Sequence, residues 1–121
     1  MRNPYQKFGA EKTEVDGIKF ASKLESARYK QLKLLESAGA ISDLKLQVEF
    51  QIFKGYINPD TGEKTRSTTY VADFVYTDIE NHLQVVEDTK GVETPDFRLK
   101  WKLVQSQYPE YVFRKVTRDM V

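Results

Sequence analysis

The chain has 121 residues, the size of one ordinary domain, and 40% of them are hydrophobic, with seven Phe, seven Tyr and one Trp. Such a composition argues against wholesale disorder. Nineteen basic and eighteen acidic residues leave a formal charge of +1, which excludes a histone-like basic coat but not local DNA binding. Without a single cysteine, disulfides, thiolate catalysis and thiolate-bound zinc are all excluded. No run of about eighteen apolar residues offers a membrane span.

Residues 1–11 are mostly polar and are expected to form a flexible N-terminal segment ahead of one domain over 12–121. Thr13, Val15, Ile18 and Phe20 flank Asp16-Gly17, a tight-turn dipeptide, and predict a small hairpin. Ser22 opens a helix as its cap, with Glu25 three residues on, where a capping box places an acid. Ala27, Gln31, Leu34, Leu35 and Ala38, joined by Leu24, mark its packing stripe, and Gly39 stops it. Leu44, Leu46, Val48, Phe50 and Ile52 then share one parity, the pattern of a strand with one buried face. A register shift is expected near Gly55, and Asn58-Pro59-Asp60-Thr61-Gly62 is a turn.

Thr69, Tyr70, Val71, Phe74 and Val75 support a second strand from about Thr68 to Tyr76. Leu83, Val85 and Val86 open a third, reaching Thr89 or Lys90. Thr94-Pro95 starts a second helix, with Phe97, Trp101, Val104 and Tyr108 as its stripe and Pro109 as its end. Tyr111 to Val116 form a last strand. Short links favour antiparallel neighbours among the first three strands, and the intervening helix permits a parallel crossover to the fourth. The expected fold is α/β, a small mixed sheet flanked by helices.

Charge is uneven along the chain. Residues 41–90 carry five basic and nine acidic residues, between two stretches of net positive charge. Within that acidic centre, Asp88-Thr89-Lys90 places a carboxylate and an ammonium on one side of a strand. Asp73 interrupts the apolar run of the preceding strand and would stand beside Asp88 in a hairpin. Two adjoining carboxylates repel unless a proton or cation neutralises them, and hard oxygens suit magnesium, with manganese as a substitute. The Thr89 carbonyl would add a ligand while its side chain points elsewhere. Lys90 would hold a phosphate oxygen or orient water.

The plain alternative is that Asp73 and Asp88 face water on the polar side of a hairpin. Glu87 competes with Asp88 for the acidic role, but alternation puts it on the face opposite Lys90. Glu25 either closes the helix cap or carries a carboxylate over the strand pair, to bind metal directly or through water. Lys23, Arg28 and Lys30 on the first helix, and Lys100 and Lys102 on the second, would steer a phosphate backbone; each is equally an ordinary solvated charge. His82 is the only histidine and reads as a turn residue. No glycine-rich nucleotide loop and no Gly-x-Ser-x-Gly element occurs, so neither a nucleotide cofactor nor serine hydrolysis is expected.

Four stretches together resemble a known family: Thr13 to Phe20, Ser22-Lys23-Leu24-Glu25, Tyr70-Val71-Ala72-Asp73-Phe74, and Val86-Glu87-Asp88-Thr89-Lys90-Gly91. They look like a small phage and prophage family long labelled only as a domain of unknown function (DUF1064-like), within the PD-(D/E)XK nuclease superfamily. The resemblance spans most of residues 12–116. It implies a restriction-endonuclease-like core in helix-strand-strand-strand-helix-strand order and a magnesium-dependent endodeoxyribonuclease. Asp73 resembles the first metal-binding aspartate, Asp88 the second acid, Lys90 the motif lysine, and Glu25 the first-helix glutamate of resolvase-like branches. Ala72 stands where the nominal motif has proline. Similarity to Holliday-junction resolvases implies a homodimer acting on branched or duplex DNA in the cytoplasm of a bacterial host. A noncatalytic DNA-binding or phage assembly module on the same fold is the alternative.

Overall fold

A computed structural model describes residues 12–121; the N-terminal segment 1–11 lies outside the described residues. The chain runs through a hairpin of β1 (Thr13–Val15) and β2 (Ile18–Phe20), helix α1 (Lys23–Ser37) and a long strand β3 (Ile41–Phe53). A second small hairpin, β4 (Tyr56–Ile57) and β5 (Lys64–Thr65), follows. Strands β6 (Thr68–Asp78) and β7 (Leu83–Thr89), helix α2 (Pro95–Gln107) and strand β8 (Val112–Val116) complete the core.

Four strands form the main sheet in the order β3-β6-β7-β8. The first three are antiparallel neighbours, and β8 runs parallel to β7 after the α2 crossover. The fold is thus α/β, with two helices on a mixed four-stranded sheet. Helix α1 packs on one face with Tyr29, Leu32, Phe74, Tyr76 and Val85. Helix α2 packs on the other with Phe97, Trp101 and Val104 against Phe50, Ile52, Tyr70 and Val86. No helix among the described residues is long and apolar enough to cross a membrane.

Two expectations fail here for physical reasons. The α1 stripe is Glu25, Ser26, Tyr29 and Leu32, not the leucine-rich set; Leu34 is 72% exposed. The sheet beneath the first half of the helix offers polar partners as well as apolar ones, so burial follows position over the sheet rather than hydrophobicity. Tyr29 also spends its polar end, donating to Asp16 in the β1–β2 turn.

The alternation along β3 is real, but it does not serve one face. Leu44 and Leu46 pack on the α1 side, whereas Val48, Phe50 and Ile52 pack on the α2 side. The same reversal occurs in β6, where Ala72 joins the α2 side and Phe74 the α1 side. Leu46 pairs with Phe74 and Val48 with Ala72, so the residues facing each other at the reversal are Gln47 and Asp73. Gln47 adopts a positive φ of 52° there, which turns the pleat over. The register shifts of β3 fall at Ser42/Lys45 and Gln51/Phe53, slightly before Gly55. Gly55 itself lets two backbones touch: a Cβ would lie 2.6 Å from the Thr65 carbonyl oxygen.

Candidate active site at the opening of the central strand pair

The β6–β7 ladder runs from Asp78↔Leu83 to Phe74↔Glu87 and then stops. The next pair in that register would be Asp73 and Asp88. There the backbone ladder gives way to a side chain. Asp73 Oδ2 accepts hydrogen bonds from the Thr89 amide and from Thr89 Oγ1, both at 2.8 Å. That amide nitrogen is bonded to the carbonyl carbon of Asp88, so Asp73 Oδ2 lies no more than about 5 Å from the Asp88 Cα. Asp73 and Asp88 are both buried, at 5% and 3% exposure, which is costly for carboxylates unless something compensates them. The Thr89 side chain, expected to point elsewhere, is turned onto Asp73.

Lys90 extends from the same strand end. Its Nζ is 3.6 Å from Asp88 Oδ2 and 4.3 Å from the centre of the Phe97 ring on α2. The aromatic face and the carboxylate together fix the ammonium beside the acid pair. Tyr70, also buried, turns its hydroxyl toward Asp88 and Asp73. Burial, and then the charges of Asp88 and Asp73, push its pKa above the ordinary tyrosine value, so it stays protonated.

On the α1 side, Ser22 caps the helix by accepting from the Glu25 amide. The Glu25 carboxylate does not return to the cap; its Oε1 accepts from Gln47 Nε2 at 2.9 Å. The same nitrogen lies 3.5 Å from Asp73 Oδ1. Glu25 therefore joins Asp73 through Gln47. Among the described residues, no three Asp, Glu or His side chains converge closely enough to hold an ion by themselves. A cleft of about 260 Å³ opens over this corner, lined by Ile18 to Ala21, Glu25, Leu46, Gln47 and Asp73.

Glu87 lies on the other face from Asp88, as alternation requires. It is 1% exposed and receives Arg28 Nε and an Arg28 terminal nitrogen at 2.7 and 2.6 Å, together with the Tyr76 hydroxyl. The hydrogen-bonded carboxylate holds Arg28 charged more firmly than usual. Burial first, and then Glu87, raise the Tyr76 pKa. The Arg28 guanidinium, expected to steer phosphate, is bonded to Glu87 and to Gln31 instead of standing free in solvent. Lys100 pairs with Asp96 one turn away at 3.3 Å, while Lys23, Lys30 and Lys102 are exposed. In the sequence, Gln47 falls on the parity opposite the apolar residues of its strand, with Lys45, Glu49 and Gln51, and Tyr70 is one of several strand formers. Nothing in the alternation distinguishes either from its neighbours.

Residues 5–120 match the family described as a protein of unknown function (DUF1064). The chain belongs to that family. No curated protein and no solved structure matches this DUF1064 chain.

Proposed function

We propose that this DUF1064 protein is a divalent-metal-dependent endodeoxyribonuclease of phage or prophage origin, with a PD-(D/E)XK-type core and a preference for branched DNA such as four-way junctions. One observation carries the reading. Where the central strand pair opens, Asp73 is bonded to the residue between Asp88 and Lys90, putting two buried carboxylates and an ammonium in one corner. The donor set suits magnesium, which takes one or two carboxylates and keeps several waters, and which does not need a cage of three acids.

Asp73, Asp88 and the Thr89 carbonyl would hold the ion, with Glu25 approaching from α1. Bound there, magnesium lowers the pKa of a water and offsets charge on the phosphoryl group. Lys90 orients the attacking water or stabilises charge developing on the scissile phosphate. Phe97 and Asp88 restrict where its ammonium can go, which gives that task a fixed geometry. Water attacks in line, the 3′ oxygen departs, and a 5′ phosphate remains. No covalent enzyme intermediate is needed.

The direct test is incubation of purified protein with four-way, flap, single-stranded and duplex DNA, with and without magnesium. Cleavage that needs magnesium and disappears in Asp88→Asn is expected. Absence of cutting on every substrate by folded protein would overturn the proposal. The lack of a three-carboxylate cluster among the described residues favours a second reading, a noncatalytic DNA-binding or assembly module. Tight DNA binding indifferent to magnesium and to Asp88→Asn would establish it. Two copies, placing two sites across a branched duplex, make the working unit a homodimer. Sedimentation at micromolar concentration, with and without junction DNA, should show a dimer; monomers throughout would remove it.

A further inference from the structure

We infer that Gln47 is a positioning residue of the site, its carboxamide holding the Glu25 and Asp73 carboxylates side by side so that a divalent cation meets both already aligned. The inference rests on the metal-dependent reading above. Three independent observations support it.

The backbone comes first. Among the described residues, the non-glycine positions at positive φ are Asp16, Asp43, Gln47 and His82. Asp16 and His82 sit in turns, Asp43 lies at a register shift, and Asp and His are residue types that tolerate this conformation. Gln47 is the exception, in the middle of a long strand with paired residues on both sides. A disfavoured conformation persists there only because its surroundings over-determine it, and such positions gather at functional sites.

The side chain explains what the backbone accomplishes. Turning the pleat at Gln47 sends its amide toward α1, where one nitrogen serves Glu25 at 2.9 Å and lies 3.5 Å from Asp73. The two carboxylate oxygens are therefore no more than about 6.5 Å apart, held by donors on a single group. Glutamine suits the task because its amide has two N–H donors and no charge. It lowers the cost of placing two acids together without cancelling the negative potential that attracts a cation. An arginine would cancel it, as Arg28 does at Glu87.

Access is the third observation. Gln47 is exposed on the cleft wall, beside Glu25 and Asp73, so the amide stands where a hydrated ion would enter. A residue acting only as filler would not need an exposed amide aimed at two acids.

Two variants separate this role from a structural one. Gln47→Asn keeps an amide and a residue type at ease with positive φ, but the side chain is one methylene short of bridging. Gln47→Glu keeps length and shape but replaces the donor with a third acid. Manganese binding without DNA, followed by calorimetry, and thermal unfolding with and without manganese provide readouts that do not depend on cleavage. Gln47→Asn should stay folded, with Tm within about 3 °C of the parent, and bind manganese about tenfold more weakly. Gln47→Glu should gain more Tm from manganese than the parent does. Parent protein that binds manganese while both variants match it in affinity and Tm response would overturn the role of Gln47 and leave the nuclease proposal standing. Parent protein that binds no manganese would overturn both.

Discussion

Glu87 and Asp88 are consecutive residues, both buried in the same strand, and their surroundings treat them oppositely. Glu87 has a guanidinium in two-point contact and a tyrosine hydroxyl, so its charge is cancelled inside the fold. Asp73 accepts from Thr89 and lies near the Gln47 amide, and Asp88 stands 3.6 Å from the Lys90 ammonium. On the proposed reading, Glu87 is the architectural acid and Asp88 the chemical one. A carboxylate neutralised by an internal arginine ties α1 to the sheet. Carboxylates bonded to amide and hydroxyl donors can still share oxygens with a cation. The two sites are also mechanically linked, because the α1 turn that carries Arg28 to Glu87 carries Glu25 toward Asp73.

The largest effect should come from breaking the architectural side. Arg28→Ala leaves Glu87 buried without its cation and should cost about 3–5 kcal/mol of stability in urea denaturation. A loss below about 1 kcal/mol would mean that the pair is not holding α1 to the sheet. Leu32→Ala, at the only fully buried leucine of α1, should cost about 3 kcal/mol. Leu34→Ala should stay within about 0.5 kcal/mol of the parent, because that side chain is already in water. Equal losses for the two leucines would contradict the helix face described here.

On the chemical side, Asp88→Asn should lower cleavage by at least about a hundredfold, near 2.7 kcal/mol in the barrier. The fold should survive, since the substitution removes a buried charge rather than exposing one. An active Asp88→Asn, or an unfolded one, would make the two acids alike. A smaller effect should appear in alkali. Tyr70 and Tyr76 both have folded-state pKa values raised above the ordinary 10.0. Their contribution is complete below that value and is lost progressively as pH rises from it toward the raised folded-state values, because the unfolded chain ionises first. The urea midpoint should therefore fall between about pH 9 and about pH 11, and less steeply in Tyr70→Phe and in Tyr76→Phe. Identical slopes in parent and variants would remove the tyrosines from the account.

Element order was legible because period and punctuation agree. Ser22 and Thr94 cap their helices as expected, Asp16-Gly17 turns its hairpin, and the α2 crossover sets β8 parallel to β7. The preference for Asp88 over Glu87 as the acid beside Lys90 rested on alternation alone, and the structure puts the two on opposite faces. The helix face differs from the leucine stripe because tertiary position decides burial in a helix of mixed polarity, and leucines left exposed to solvent gain little. The reversal at Gln47 and Asp73 was invisible for a different reason. It is made by one backbone rotation at a residue type that does not advertise it, and it leaves the alternating pattern unchanged on either side. Arg28 shows the limit for charges: a basic residue on a helix reads the same whether it meets solvent or a buried acid 59 positions away.

The central claim is that Asp73 and Asp88 converge on one ion at the opened strand pair. A crystal soaked in manganese tests it most directly. An anomalous peak within about 2.0–2.3 Å of oxygens from both aspartates is the predicted result. A peak held by other residues, or carboxylates more than about 10 Å apart and so beyond one coordination shell, would contradict it.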